Sequence, residues 1–435
     1  MESGLIEEYV QLGLCRNPRI QEAQHKVESI RHKIPQVLSL PDPMVNTTTH
    51  LAPVQTAAGE QAFALGVSQK ITNVDRRATQ ASIVCEEVAA AKANLETVEL
   101  EVAEQIRKAG WQLVLVRKSI EITKEDQGSL ANIAESIEAQ FGAGKKEINQ
   151  QDVLNIQVEQ SKIDNQVTEL LQKEQGFQAR LARLLHLDPQ SDLQVLDQLQ
   201  VNSGSFDVDA LIAQAIEARP GLRAQIANVR RDCKKIHLAC LKNKPDFTVG
   251  LNWIATSTVG ISPVANGDDA VLLGVGFNLP IYKDRIRAAV CEAKASKRAS
   301  ESRLESLQDQ AAEEVFDIIQ QIDSAQQTLS LIQEDIIPKS QRTLNLSFDE
   351  YSTGKIDYVQ LIENWRSVLR YRLLEANLLS QYQQLMASLA RSVGQIAPLL
   401  NEETAFESTT QPGFERYQSG LIKNVTLSPD SGNEK

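Results

Sequence analysis

"FGAGK" (141–145) and "YSTGK" (351–355) interrupt two otherwise helix-forming runs, and their glycines, Gly144 and Gly354, stand 210 residues apart. Both carry the Gly-Lys that ends a phosphate-binding loop. Such a loop needs GxxxxGK followed by Ser or Thr, after a strand. Here Lys145 is followed by Lys146 and Lys355 by Ile356, and helical sequence flanks both copies. Glycine instead supplies a backbone conformation that a Cβ opposes, as at a helix end. The two breaks therefore read as the tips of two helical hairpins.

Working outward from the tips, the two halves of the chain repeat each other. "NPRIQEA" (17–23) resembles "RPGLRAQ" (219–225) at an offset of 202, which Pro43 and Pro245 keep. "LGVSQKI" (65–71) matches "VGFNLPI" (275–281) at an offset of 210, as do Arg77-Ala78 and Arg287-Ala288. The change of offset places eight extra residues within 246–275, in what reads as a loop. Repeats of this kind decide an architecture before any single motif does.

Each half has one order: a helix, a short region of strand character, a very long helix, the glycine break and another long helix. In "DFTVGLNW", Phe247, Val249, Leu251 and Trp253 share one face. In "AVLLGVGFNLPI", Val271, Leu273, Val275, Phe277 and Leu279 share one face, with Gly274, Gly276 and Asn278 opposite. Period two over these lengths means strands. "QAFALGVSQ" aligns Phe63, Leu65 and Val67 in the same way, while its partner "VNTTTHL" is polar and alternates weakly. From about 74 to 140, and again from about 284 to 350, the only proline is Pro338. Each run would reach roughly 100 Å as a helix. Leu95, Val98, Val102, Ile106, Ala109, Leu113, Val116 and Ile120 step by three or four, as do Ile318, Ile322, Ala325, Leu329, Ile332 and Ile336. That is a coiled-coil seam.

The expected organisation follows. Residues 1–200 form a first repeat, with a strand pair at about 44–70 and a hairpin at about 74–187 whose tip is 141–149. Residues 201–398 form a second, with strands at about 246–281 and a hairpin at about 284–396 whose tip is 351–357. Residues 399–435 are a polar, aperiodic tail, equatorial or disordered. The fold class is mainly α with a small β part.

Composition bounds the function. Aromatics make up 5% of the 435 residues and the net charge is −12, which argues against nucleic acid as the main partner. No run of 18 apolar residues exists, so no transmembrane helix is expected. The start, "MESGLIEEYVQLGL", lacks the basic and apolar regions of a signal peptide. That leaves either a cytoplasmic chain or one whose leader is absent here. Five cysteines imply no disulfide framework.

Two further features bear on chemistry. Cys233, His237 and Cys240 lie at i, i+4 and i+7, one helical face with soft donors suited to zinc or copper(I). The plainer reading is a bundle-facing stripe with cysteine as a small apolar residue. His25 and His32 lie seven apart, with His50 and His186 scattered. No Ser/His/Asp or Cys/His arrangement stands out, so neither an enzyme nor a cofactor is expected.

The ordered, duplicated set resembles the TolC-like outer-membrane efflux protein family over roughly residues 5–398. "NPRIQEA" and "RPGLRAQ" look like that family's half-starting elements, and "LGVSQKI" and "VGFNLPI" like its strand exits. "LARLLHLDP" (181–189) looks like its end-of-first-half motif, and "IIPKSQRTLNLSFDEYSTGKIDYVQLIENWRSVL" (336–369) like its second hairpin. "SLPDPM" (39–44) resembles the lead-in to its first strand and points to its heavy-metal efflux branch.

The resemblance implies a homotrimer in the outer membrane. Each protomer would give four strands to a 12-stranded β-barrel and four long helices to a periplasmic α-barrel tunnel. The sheet's apolar series would face lipid, and Ser68, Gly276 and Asn278 the lumen. The chain would be a passive conduit for substrate from an inner-membrane pump and a periplasmic adaptor. The adaptor would dock at tip residues Phe141, Gly144, Lys145, Tyr351, Gly354 and Lys355. The pore gate would involve Asp357, Gln360, Glu363 and Asp152. Gln360 and Ile356 depart from the family's acidic and basic pattern, which leaves Asp357 and Glu363 as the pore acids. The same scaffold serves type I protein secretion, and a soluble coiled-coil scaffold is the reading from a different class.

Overall fold

A computed structural model describes residues 2–143, 150–201, 206–263 and 267–396. The first half runs β1 (Glu2–Gly4), α1 (Ile6–Arg16), α2 (Pro18–Arg31), α3 (Lys33–Leu38), β2 (Met44–Thr56), β3 (Gly59–Ile71), α4 (Val74–Gly142) and α5 (Gln150–Leu184). After β4 (Leu193–Val195), the second half runs α6 (Val208–Ala218), α7 (Pro220–Leu241), β5 (Phe247–Ser257), β6 (Ala270–Phe277), α8 (Lys283–Leu331), α9 (Ile337–Ser352) and α10 (Tyr358–Val393). A π turn, Ile332–Ile336, joins α8 to α9.

The helix starts follow from local chemistry. Asn17 and Asn73 cap α2 and α4, their side chains accepting backbone N–H groups two or three residues on. Pro18 and Pro220 open α2 and α7 at the first turn, where a missing N–H costs nothing. With no proline inside it, α4 continues for 69 residues, about 100 Å.

Its seam is buried as the spacing predicts: Val102, Ile106, Ala109, Leu113, Val116 and Ile120 are all inside, while Leu95 and Val98 pack at the margin. Ile318, Ile322, Ala325 and Leu329 of α8 and Ile332 of the π turn are buried, but Ile336 is only half-buried. The π turn widens the helix there and carries Ile336 off the seam. Near the tips, Ile122, Leu130, Ile133 and Ile137 of α4 pack with Ile156 and Ile163 of α5 and Leu361, Trp365 and Leu369 of α10. Deleting one such methyl cluster costs about 2–5 kcal/mol.

The strands form one four-stranded antiparallel sheet in the order β2-β3-β5-β6, and β1 pairs with β4 in parallel as a separate two-stranded sheet. The duplication extends to register. Val45 pairs with Val67, and their repeats, Phe247 and Phe277, pair likewise. Thr47 opposite Leu65 corresponds to Val249 opposite Val275, and Thr49 opposite Phe63 to Leu251 opposite Leu273. The weakly alternating 45–51 stretch is thus a full strand, because its β-branched residues suit a pleated surface without an apolar stripe. The extra residues of the second half fall in the connection 258–269, against only 57–58 between β2 and β3.

Candidate functional site

The sheet exposes one apolar face. Leu65, Val67, Phe247, Leu251, Trp253, Val271, Leu273, Val275 and Phe277 all stand exposed, and the register sets them on one side of β3, β5 and β6. Phe63 and Trp253 meet edge-on, and Phe247 tilts against Phe277. The other side carries Gly66, Ser68, Gly250, Asn252, Gly274 and Gly276, and a Cβ on Gly66 would strike the Asn252 amide oxygen. A contiguous apolar surface of this size on an unbacked sheet is built for a nonaqueous neighbour. Among the described residues no helix is long and apolar enough to cross a membrane.

At the foot of the sheet the strands are clamped to the helices. Asp246 accepts 3.0 and 2.8 Å hydrogen bonds from the Arg76 guanidinium, which also donates to the carbonyls of Leu241 and Lys244. Lys244 forms an ion pair with Asp75 beside it.

The second tip is closed by a Schellman motif. Gly354 has φ +72°, and its N–H donates to the Tyr351 carbonyl while that of Lys355 donates to Glu350. Asp357, expected as a pore acid, caps α10 by accepting the Gln360 N–H at 2.9 Å. "DYVQ" is the sequence signal for that cap. Tyr351 is buried with Tyr358 and Trp365, whereas Phe141 is exposed. Gly144 and Lys145 lie outside the described residues.

The hydroxyls of Tyr351 and Tyr358 and the Trp365 indole N–H are buried without a hydrogen-bond partner. Burial, with the nearby Asp152 carboxylate, pushes the Tyr351 phenol up to about 12. Asp152 itself sits in the first turn of α5.

Glu363 is exposed and pairs with Arg366 one turn on. Arg366 also reaches across to Glu159 of α5 at 2.7 Å, and Lys162 pairs with the same carboxylate. Burial raises the Glu159 pKa, and bonds from Arg366 and Lys162 overcome that and hold it below the ordinary range. This link between the two hairpins escaped sequence reading, because its partners lie 207 residues apart. Farther along, Asp126 is buried in the α4 seam, with Arg372 Nη1 3.7 Å away, and burial lifts its carboxyl to about 6.

Cys233, His237 and Cys240 are all exposed on α7. The buried face of α7 is Leu222, Ala224, Ala227, Ala239 and Leu241, small enough for close approach to α4 and α8. Within the chain the stripe thus lies off the face that α7 packs against α4 and α8. Among the described residues no group of three or more His, Cys, Asp or Glu side chains could hold a metal ion.

The family model for "Outer membrane efflux protein" matches residues 9–185 and 211–395. The chain belongs to that family. The two matched stretches follow the two repeats. No curated protein sequence matches this efflux protein. Among solved structures, the outer-membrane channel OprN is similar at a TM-score of 0.74 and 17% identity, covering 89% of both chains. The outer membrane protein VceC of Vibrio cholerae gives 0.73 and 15%, covering 90% of this chain and 96% of that one. CusC, described for its transmembrane channel formation, gives 0.74 and 16%, covering 90% and 92%. At these identities what is shared is the fold. The efflux protein therefore has the outer-membrane channel fold that its repeat pattern resembles.

Proposed function

We propose that this efflux protein is the outer-membrane channel of a tripartite efflux system, working as a homotrimer. The observation that carries the reading is the exposed apolar face of a sheet whose two outer strands, β2 and β6, each leave an edge unpaired. Open edges are untenable in lipid, where no water satisfies the backbone. Four strands cannot close a barrel; three copies supply an even number of strands in the usual range.

On this reading the apolar face meets outer-membrane lipid, and the glycine-rich face lines the lumen. The helices extend into the periplasm as a tunnel. Substrate delivered by an inner-membrane pump and a periplasmic adaptor passes through without chemical change. Adaptor contact falls to the exposed tip residues Phe141, Gly354 and Lys355, with Gly144 and Lys145 on the companion tip. Tyr351 shapes that surface from below. Glu363, Gln360 and Asp152 remain gate residues, and Asp357 acts through the turn it caps. The transported substrate would be set by the pump.

Extraction tests the reading. The protein should leave membranes only in detergent and should have the mass of three chains. A monomer recovered from the soluble fraction would overturn it.

A further inference from the structure

The two repeats share more than a topology, and their differences are paired. Within the chain, β3 meets β5 with Val67 opposite Leu251, Gln69 opposite Val249 and Ile71 opposite Phe247. The strand β6 is the repeat of β3, and β2 is the repeat of β5. Carrying the offsets of 210 and 202 across sets Phe277 opposite Thr49 and Leu279 opposite Thr47. Within one chain β2 and β6 are the two outer strands of the sheet, so that pairing requires a second copy.

The foot of the sheet supplies an independent check. The intrachain ion pair Asp75–Lys244 maps onto Arg285 and Asp42, which are again of opposite sign, with the charges exchanged. Asp42 and Arg285 are both exposed, and neither has an ion-pair partner among the described residues. The Arg285 guanidinium lies 6.0 Å from the Tyr282 ring. The intrachain pair Arg76–Asp246 maps onto Ile286 and Met44, both apolar, with Met44 63% exposed. Two contacts have changed character, and in each both members changed together.

We infer that β6 of one copy pairs antiparallel with β2 of the next with Phe277 opposite Thr49, and that Arg285 pairs there with Asp42 and Ile286 packs on Met44. The inference rests on the channel reading above and specifies its subunit contact. A slip of one residue would turn Val45, Thr47 and Thr49 to the other side of the sheet, so the foot contacts fix the register. Val45, Thr47 and Thr49 then continue the outward face of β6, completing a band that each chain alone leaves broken.

Disulfide trapping in membranes tests this. In a chain with Cys15, Cys85, Cys233, Cys240 and Cys291 changed to Ser, Phe277→Cys is combined with Thr49→Cys, Thr47→Cys or Leu51→Cys. A shift of two residues moves a strand position by about 7 Å, beyond disulfide reach. The Thr49 combination should give about tenfold more covalent dimer and trimer than the others.

A second measurement is the temperature at which the detergent-extracted oligomer dissociates. Asp42→Arg should lower it, and Asp42→Arg with Arg285→Asp should restore it. Preferential trapping of the Thr47 or Leu51 combination overturns the register while still requiring a second copy. An oligomer showing neither trapping nor restoration overturns the pairing. Uncrosslinked chains with the mass of a monomer overturn the channel reading itself.

Discussion

Arg76, at the start of α4, holds Asp246 in a two-pronged grip, Nη1 lying 3.0 and 2.8 Å from its two carboxylate oxygens. The residues are 170 apart, and the grip joins the helix of the first repeat to the strand of the second. Both are largely shielded, with side-chain exposures of 16% and 10%. Removing one partner from such a pair leaves a stranded charge, at a cost of about 3–5 kcal/mol. Asp246→Ala should lower the denaturant midpoint accordingly. Asp246→Ala with Arg76→Met should recover much of the loss.

Asp126 should make the protein less stable at neutral pH than in mild acid. Its folded pKa, about 6, lies above the unfolded value near 3.8, so the folded state binds the proton more tightly. Stability from this group therefore grows as pH falls from about 7 towards 4. Arg372 opposes the shift and the neighbouring Glu125 adds to it. Asp126→Asn should raise the unfolding free energy at pH 7.5 by on the order of 1 kcal/mol and flatten its dependence on pH. Denaturant titrations across that window would read both.

The buried hydroxyls near the second tip give a sharper contrast. Neither Tyr351 nor Tyr358 has a partner for its phenolic O–H. Deleting an unpaired polar atom removes a penalty rather than a bond. Tyr351→Phe and Tyr358→Phe should leave stability unchanged or raise it by up to about 1 kcal/mol. Tyr358→Ala, which removes the ring, should cost about 3–5 kcal/mol.

Gly354 holds φ +72° at the centre of the turn. A side chain in that conformation costs roughly 1–2 kcal/mol, less for asparagine. Gly354→Ala should loosen the tip, seen as faster amide exchange at Lys355 and Asp357, and Gly354→Asn should do so less.

The Glu159–Arg366 bond ties α5 to α10 below the tips. Because the Glu159 pKa is held below its ordinary value, this tie is present at neutral pH and is lost as pH falls through the acid range. Glu159→Gln should raise the conductance of the channel in planar bilayers at pH 7. Arg366→Lys should have a smaller effect.

Much of this architecture was legible in the sequence because duplication prints every element twice. The glycine breaks, the buried seam of α4 and the apolar faces of β3, β5 and β6 all follow from spacing alone. The site was less so. Arg76–Asp246 and Arg366–Glu159 join residues with nothing local to mark them, and their partners are brought together only by helix packing. Asp357 carried a cap signal that its family position overshadowed. Spacing places Cys233, His237 and Cys240 on one face of α7, but it cannot say which face the small residues of that helix will bury.

The π turn at Ile332–Ile336, followed at once by Pro338, leaves the long helical run of the second repeat with a weak joint. The matching stretch of the first repeat, 122–128, lies in the unbroken α4. Proline offers no N–H to the ladder, and the wider turn bonds less evenly. Of two beams made to one pattern, one is stiff and the other jointed about 30 Å above its end. A load applied at the tips would bend the second and leave the first standing as its frame.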